Sequence, residues 1–304
     1  MKKTSIFQII IFLFIPLFAQ NNMSVDWRKV PLESSHLNAE WIPMQSELFL
    51  SNGNNTTFHI LDIYTEKVIS SPIPNMNTFG TKWSPDGSQA LTLQIKFKNK
   101  RRFNSLIVVN RYGELIKTII DFTLDKINPV GWSGLQSIHY LLNNELNSVS
   151  INKNKIEWQF PISYAIGNKL FRKVNLSSVE LLRETATVIL NLSTSYSSSL
   201  IAFEEYGGNL WVMDPSTKFL KEIGPGNAPA ISPNGFFILF MVLEDDGYQL
   251  TKGEIYIWDK KADQISQLTY SENQIEMNPS ISTDGKYISA TIYPEGTLLI
   301  GTVQ

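Results

Sequence analysis

From Glu40 to the C-terminus, apolar and polar residues alternate in short runs separated by Gly, Pro, Asn and Asp. That period of two, punctuated by turn residues, predicts half-buried β-strands rather than helices. The stretch TKWSPDGSQALTLQ (81–94) is the fullest example: a large apolar residue, Ser, a Pro-Asp-Gly turn, then an alternating strand. PAISPNGFFILFMV (229–242) and PSISTDGKYISATI (279–292) repeat the plan, and EWIPMQSELFLS (40–51) and VGWSGLQSIHYLL (130–142) keep the apolar anchor without the Asp-Gly. With anchors at Trp41, Trp83, Trp132, Ile231 and Ile281, the step from Trp132 to Ile231 is roughly twice the others, which predicts one degenerate unit between them and six units in all. A second series gives the same count. Strands ending in a polar turn recur at Asp62, Asn110, Asn152, Asp214 and Asp259, with Thr302 at the last copy. Short polar side chains suit such reversals because they can bond the backbone two residues on.

Each unit therefore reads as four antiparallel strands, and six units at a spacing of about 40 to 50 residues predict an all-β, six-bladed β-propeller. The alternative is a β-sandwich with several similar hairpins. The last unit stops at Gln304, one strand short, and VDWRKVPLES (25–34) resembles the fourth strands elsewhere. The expectation is that this N-terminal strand closes the ring and covers an open edge, leaving residues 21–304 as a single propeller domain. The spacing assigns some extra residues to the fourth unit, where NLSSVELLRET (175–185) reads as either a short capped helix or a strand.

The turn motifs WSPDG (83–87), ISPNG (231–235) and ISTDG (281–285) resemble the TolB-type, WD40-like (PD40) propeller repeat over roughly residues 38–304. The resemblance implies a bacterial envelope protein serving as a protein-binding platform, or the noncatalytic propeller of a prolyl-oligopeptidase-type peptidase. It carries no activity, because the Pro, Asp and Gly of the motif serve turn geometry. The chain is expected to depart from both arrangements, as an isolated propeller with fewer than about twenty residues between the expected leader and the first repeat and without an appended hydrolase domain.

The start of the chain changes the picture of where it works. Lys2 and Lys3 precede an apolar run from Ile6 to Phe18 and then Ala19. This is the pattern of a secretory signal peptide over residues 1–20, cut after Ala19, and it is too short for a spanning helix of about 20 residues. The expected location is periplasmic or secreted, with no stable membrane insertion after cleavage. The sequence contains no Cys, so disulfides and thiolate metal sites are excluded. Lys+Arg 26 against Asp+Glu 28, a formal net charge of −2, argues against nucleic acid as a partner.

Candidate chemistry is sparse. His36, His59 and His139 show no ligand spacing, and no nucleophile elbow, zincin or P-loop pattern occurs. Glu244, Asp245 and Asp246 lack the spacing of a calcium loop. Asn55, Asn175 and Asn191 head glycosylation sequons, relevant only in a eukaryotic secretory route. KFKNKRRF (96–103) interleaves basic residues with Phe97 and Phe103. Topology places this basic hairpin and the acidic run on the same face, in the second and fifth of six units and so opposite each other. Around the channel mouth of that face the inner strands are expected to bring Glu40, Lys82, Asn128, Asn227 and Asn278, with Lys98, Arg101 and Arg102 on the neighbouring loop. The sequence thus points to a noncatalytic propeller that binds an envelope or secreted protein or peptide, with no catalytic residue, cofactor or metal assigned. A propeller hydrolase or lyase at the channel mouth is the alternative. So is a carbohydrate-binding protein using Trp27, Trp158 or Trp211.

Overall fold

The computed structural model describes residues 23–52, 56, 58–152, 156–196 and 199–304. The expected signal peptide and the Asn55 sequon lie outside the described residues.

The Ser-Pro-Asp-Gly turns fold as their chemistry requires. Ser84 Oγ donates to Asp86 Oδ1 at 2.6 Å, Asp86 accepts the Ser88 amide, and Gly87 N bonds Ser84 O at 2.9 Å. Asn234 and Asp284 repeat the arrangement with Ser232 and Ser282. Gly87 and Gly285 take φ of 69° and 73°, a region that favours glycine. The polar turns behave alike, since Asp62, Asn110, Asp214 and Asp259 each accept the amide two residues on.

The first strand, β1 (Val25–Val30), stands apart from its successors. β2 (Asn38–Trp41), β3 (Glu47–Ser51), β4 (His59–Asp62) and β5 (Val68–Ser70) form a four-stranded antiparallel blade. A second contains β6 (Met76–Trp83), β7 (Gln89–Lys98), β8 (Arg101–Asn110) and β9 (Leu115–Thr123). Two three-stranded sheets follow: β10 (Ile127–Trp132), β11 (Ser137–Leu142) and β12 (Glu145–Ser150), then β13 (Ile162–Ile166), β14 (Lys169–Lys173) and β15 (Val179–Glu184). Four-stranded blades resume with β16 (Ile189–Thr194), β17 (Ile201–Glu205), β18 (Asn209–Asp214) and β19 (Phe219–Pro225). Next come β20 (Asn227–Ile231), β21 (Phe237–Asp245), β22 (Leu250–Asp259) and β23 (Gln264–Gln267). The last unit joins β24 (Ile275–Ile281), β25 (Tyr287–Tyr293) and β26 (Thr297–Val303) to β1, and a single parallel bridge, Gly253 to Ile275, links it to the unit before.

The described residues therefore form five four-stranded blades, not the expected six, and the two three-stranded sheets complete the ring. The residues expected as extra length in a fourth unit form a separate sheet, β13–β15, and 179–184 is strand rather than helix. Strand parity explains why two odd sheets occur together. Three antiparallel strands leave the chain on the face opposite its start, and Gln159 N and Phe160 N bond Ser133 O, so β13 begins beside the end of β10. A second three-stranded sheet reverses the effect, with Ile189 N at the start of β16 bonded to Gly167 O at the end of β13.

The N-terminal closure is as expected: β1 pairs antiparallel with β26 from Val25↔Val303 to Val30↔Leu298. Apolar clusters lie between neighbouring units. Trp41 and Leu48 meet Val30, Leu298 and Ile300, and Trp83 meets Phe49 and Phe58 in the next interface. Trp83 is thus a packing anchor, as the repeat implied. Trp132, fully buried, donates its indole N–H to Lys82 O at 2.8 Å across the following interface.

Candidate functional site

The inner strands β2, β6, β10, β13, β16, β20 and β24 surround the central channel. Tyr196, after β16, reaches across it to donate its hydroxyl to Trp83 O at 3.0 Å, and packs edge-on to Phe160. Burial pushes the Tyr196 hydroxyl pKa upward. These rings lie at the end bearing the Asp-Gly turns.

The five inner-strand residues expected at one mouth are not brought together. Glu40 and Lys82 are each the last but one residue of their strand, near the Tyr196 end. Burial raises the Glu40 carboxyl pKa and the positive charge of Lys82 partly offsets it. Asn128 and Asn227 lie at the other end of the axis. Asn227 Nδ2 donates to buried Glu204 at 2.7 Å, as does Asn191 Nδ2, so its amide holds β20 against β16 and β17. Asn278 Nδ2 donates to Leu37 O at 2.7 Å and ties β24 to the start of the first blade. Asn191, Ala228 and Asn278 have positive φ at the register shifts of their inner strands. Sequence periodicity could not mark Glu204 as the buried centre of such a network.

The loop face is built differently. Strands β7 and β8 stay paired to Lys98↔Arg101, four residues past the Gln94↔Ser105 level, and turn through Asn99 and Lys100 at φ of 51° and 61°. The tip therefore stands about 13 Å beyond that level. Lys98, Arg101 and Arg102 are exposed there, beside an open concavity of about 470 Å³ lined by Lys98, Asn99, Arg101 and Phe103. Arg102 donates to Asn104 Oδ1, and Phe97 is 72% exposed. Like charges directly opposite on a ladder repel, and among the described residues neither Lys98 nor Arg101 has an ion-pair partner.

The β21–β22 hairpin carries Glu244, Asp245 and Asp246, with Tyr248 98% exposed. Its carboxylates shape their own turn: Asp245 accepts the Gly247 amide, and Asp246 those of Tyr248 and Gln249. Those bonds hold the Asp246 pKa below its usual value. Among the described residues no group of three or more His, Cys, Asp or Glu is placed to hold a metal ion. The two hairpins share a face, but belong to the second and sixth units of the ring rather than to opposite members of six.

His139 is structural. Ser133 Oγ donates to Glu157 O, so His139 Nε2–H donates to Ser133 Oγ at 2.7 Å, while Nδ1, 2.8 Å from Ser148 Oγ, accepts. This network, with Glu157 N bonded to Ser137 Oγ, holds residues 157–160 against the β10–β11 turn and so sets where β13 begins. Burial, aided by the Lys173 charge, lowers the His139 pKa to about 4.

Radial antiparallel sheets, interface-packed anchors and strand closure define a β-propeller. The chain is similar to the β-propeller domain of Cps50 (Swd1) from Myceliophteria thermophila, with TM-score 0.61 and 9% identity over 93% of this chain and 100% of that one. It is similar to the RRP9 WD40 repeats with TM-score 0.64 and 9% identity, covering 94% and 98%. For U3-55K the TM-score is 0.63 and the identity 9%, covering 92% and 98%. These likenesses concern the fold. No protein-family model matches the sequence. No curated protein matches it at a significant level.

Proposed function

We propose that this propeller is a noncatalytic scaffold that binds a protein or peptide partner on the face carrying the two long hairpins. The observation that carries the reading is the basic tip: Lys98 and Arg101 face each other beside exposed Phe97 without an ion-pair partner among the described residues, a like-charge contact that an acidic partner segment would relieve. The WD40 folds that resemble it are in keeping with a binding platform. The TolB-like repeat motif and the Lys-Lys-apolar-Ala start support a further reading, that the scaffold is exported to the bacterial envelope or released.

Affinity recovery of partners by the full chain, compared with a Lys98→Glu/Arg101→Glu/Arg102→Glu variant of unchanged melting temperature, tests the binding face. A partner retained by the parent chain and recovered at least tenfold less by the variant is expected. Equal recovery would remove the hairpin from the site. The intact mass of the recovered protein reads export directly, since cleavage after Ala19 is expected.

A further inference from the structure

A lateral cleft of about 550 Å³ opens where the ring closes. One wall is β1, whose alternate residues Val25, Trp27 and Lys29 face it; the other is the connection from Gln267 to Gln274 between β23 and β24. Trp27, Leu268 and Leu299 make an apolar lining, and Tyr270 stands exposed at the rim. Trp27 Nε1–H donates to Leu268 O at 3.0 Å and fixes the two walls relative to each other.

The polar part of the cleft is built. Glu276 lines it although only 3% exposed, and accepts from Ser271 Oγ at 2.9 Å. Behind it lies Glu254, equally buried, which accepts from Thr269 Oγ1 at 2.6 Å and from Ser271 N at 3.2 Å. Burial raises the Glu276 pKa, its neighbour Glu254 adds to the effect, and Lys29 opposes it. Neither carboxylate forms an ion pair among the described residues. A buried carboxylate without a counter-charge is unfavourable, and a cation delivered into an apolar-walled cleft would gain most from it. The outer edge of β1 pairs with nothing among the described residues, so an extended backbone can lie alongside the same wall.

We propose that this cleft is a second binding site, which takes the cationic side chain of a lysine or arginine from an extended peptide of a partner protein. The alkyl stem lies between Trp27, Leu268 and Leu299, and the charged head reaches Glu276. Lys29, exposed on the opposite wall, repels the incoming charge and limits affinity.

The test is titration calorimetry of the full chain with a blocked pentapeptide of alternating Thr and Val around a central lysine, and with its norleucine counterpart. Preferential binding of the lysine peptide, by at least tenfold, is expected. Glu276→Gln should weaken it at least tenfold. Lys29→Met, an exposed change that leaves the core intact, should strengthen it about threefold. The proposal is overturned if the norleucine peptide binds equally, if neither peptide binds, or if Lys29→Met leaves a binding lysine peptide unchanged or weaker. Equal affinity for 1,5-diaminopentane would overturn its peptide component.

Discussion

Acidification should destabilise this protein through His139 before its depressed aspartates lose their contributions. Both imidazole nitrogens are already committed, one as donor to Ser133 and one as acceptor from Ser148, so a second proton at Nδ1 turns the Ser148 hydroxyl from donor to acceptor and places a charge in a fully buried site. The folded pKa is about 4 against 6.5 for the free side chain. Between those values the unfolded chain binds a proton that the folded chain does not, so stability falls as pH falls, by about 1.4 kcal/mol per unit and about 3 kcal/mol over the interval. His36 and His59 are also lowered by burial and act in the same direction. Glu40 and Glu276, whose folded pKa values are raised, act in the opposite direction, because their protonation on acidification relieves a burial penalty. Asp62, Asp86, Asp214 and Asp284 are lowered, and their contributions are lost only below about 3.8. Comparison with His139→Gln separates these effects. Urea unfolding at several pH values from about 8 to 4.5 should show a shallower decline in the variant, by roughly one proton. Imidazole chemical shifts should show His139 still neutral at about pH 5. An unchanged slope, or a His139 that titrates near 6.5, would refute the reasoning.

Two further outcomes follow from the turns and the closure. Gly87 and Gly285 occupy equivalent turns with nearly equal φ, but a Cβ at Gly87 would lie 2.1 Å from Pro43 O whereas one at Gly285 meets nothing within 4 Å. In thermal or urea unfolding, Gly285→Ala should cost about 1 kcal/mol and Gly87→Ala about 3 kcal/mol or more. Removing the chain through Val30 strips β26 of its outer partner β1 and uncovers the cluster that buries Val30 beside Leu298. Calorimetry should show a melting temperature lower by roughly 5–10 °C.

The features legible in the sequence were those written within a few residues. Ser84 to Gly87 is a complete hydrogen-bonded turn in itself, and so is Asp62 with the amides that follow it, which is why most members of both series located their turns. Thr302, expected as the last polar turn, instead lies within β26 opposite Tyr287, and among the described residues no fourth strand follows Asn152 in its sheet. The count failed between Trp132 and Ile231, where those local markings disappear. The β13–β14 turn is Gly167-Asn168 without the Ser-Pro-Asp plan, and β15 is largely exposed, so its apolar alternation carries little signal. The site was less legible for a different reason. Asn227 and Asn278 were expected to face a partner, yet their amides meet Glu204 and Leu37 O, contacts made only when distant strands assemble. The lateral cleft joins β1 to residues near the far end of the chain, a pairing the repeat pattern does not encode beyond its closure strand.

That closure also sets a timetable for biosynthesis. Ser24 and Gln304 meet although 280 residues separate them. At about 5–20 residues per second, the first strand waits roughly 15 to 60 s after it emerges before its pairing partner exists. Throughout that delay Val25, Trp27 and Val30 form an unpartnered sticky segment, vulnerable to capture by holdase chaperones or by another nascent copy. Domain-swapped rings, in which one chain's opening strand completes its neighbour, are the assembly error this architecture invites.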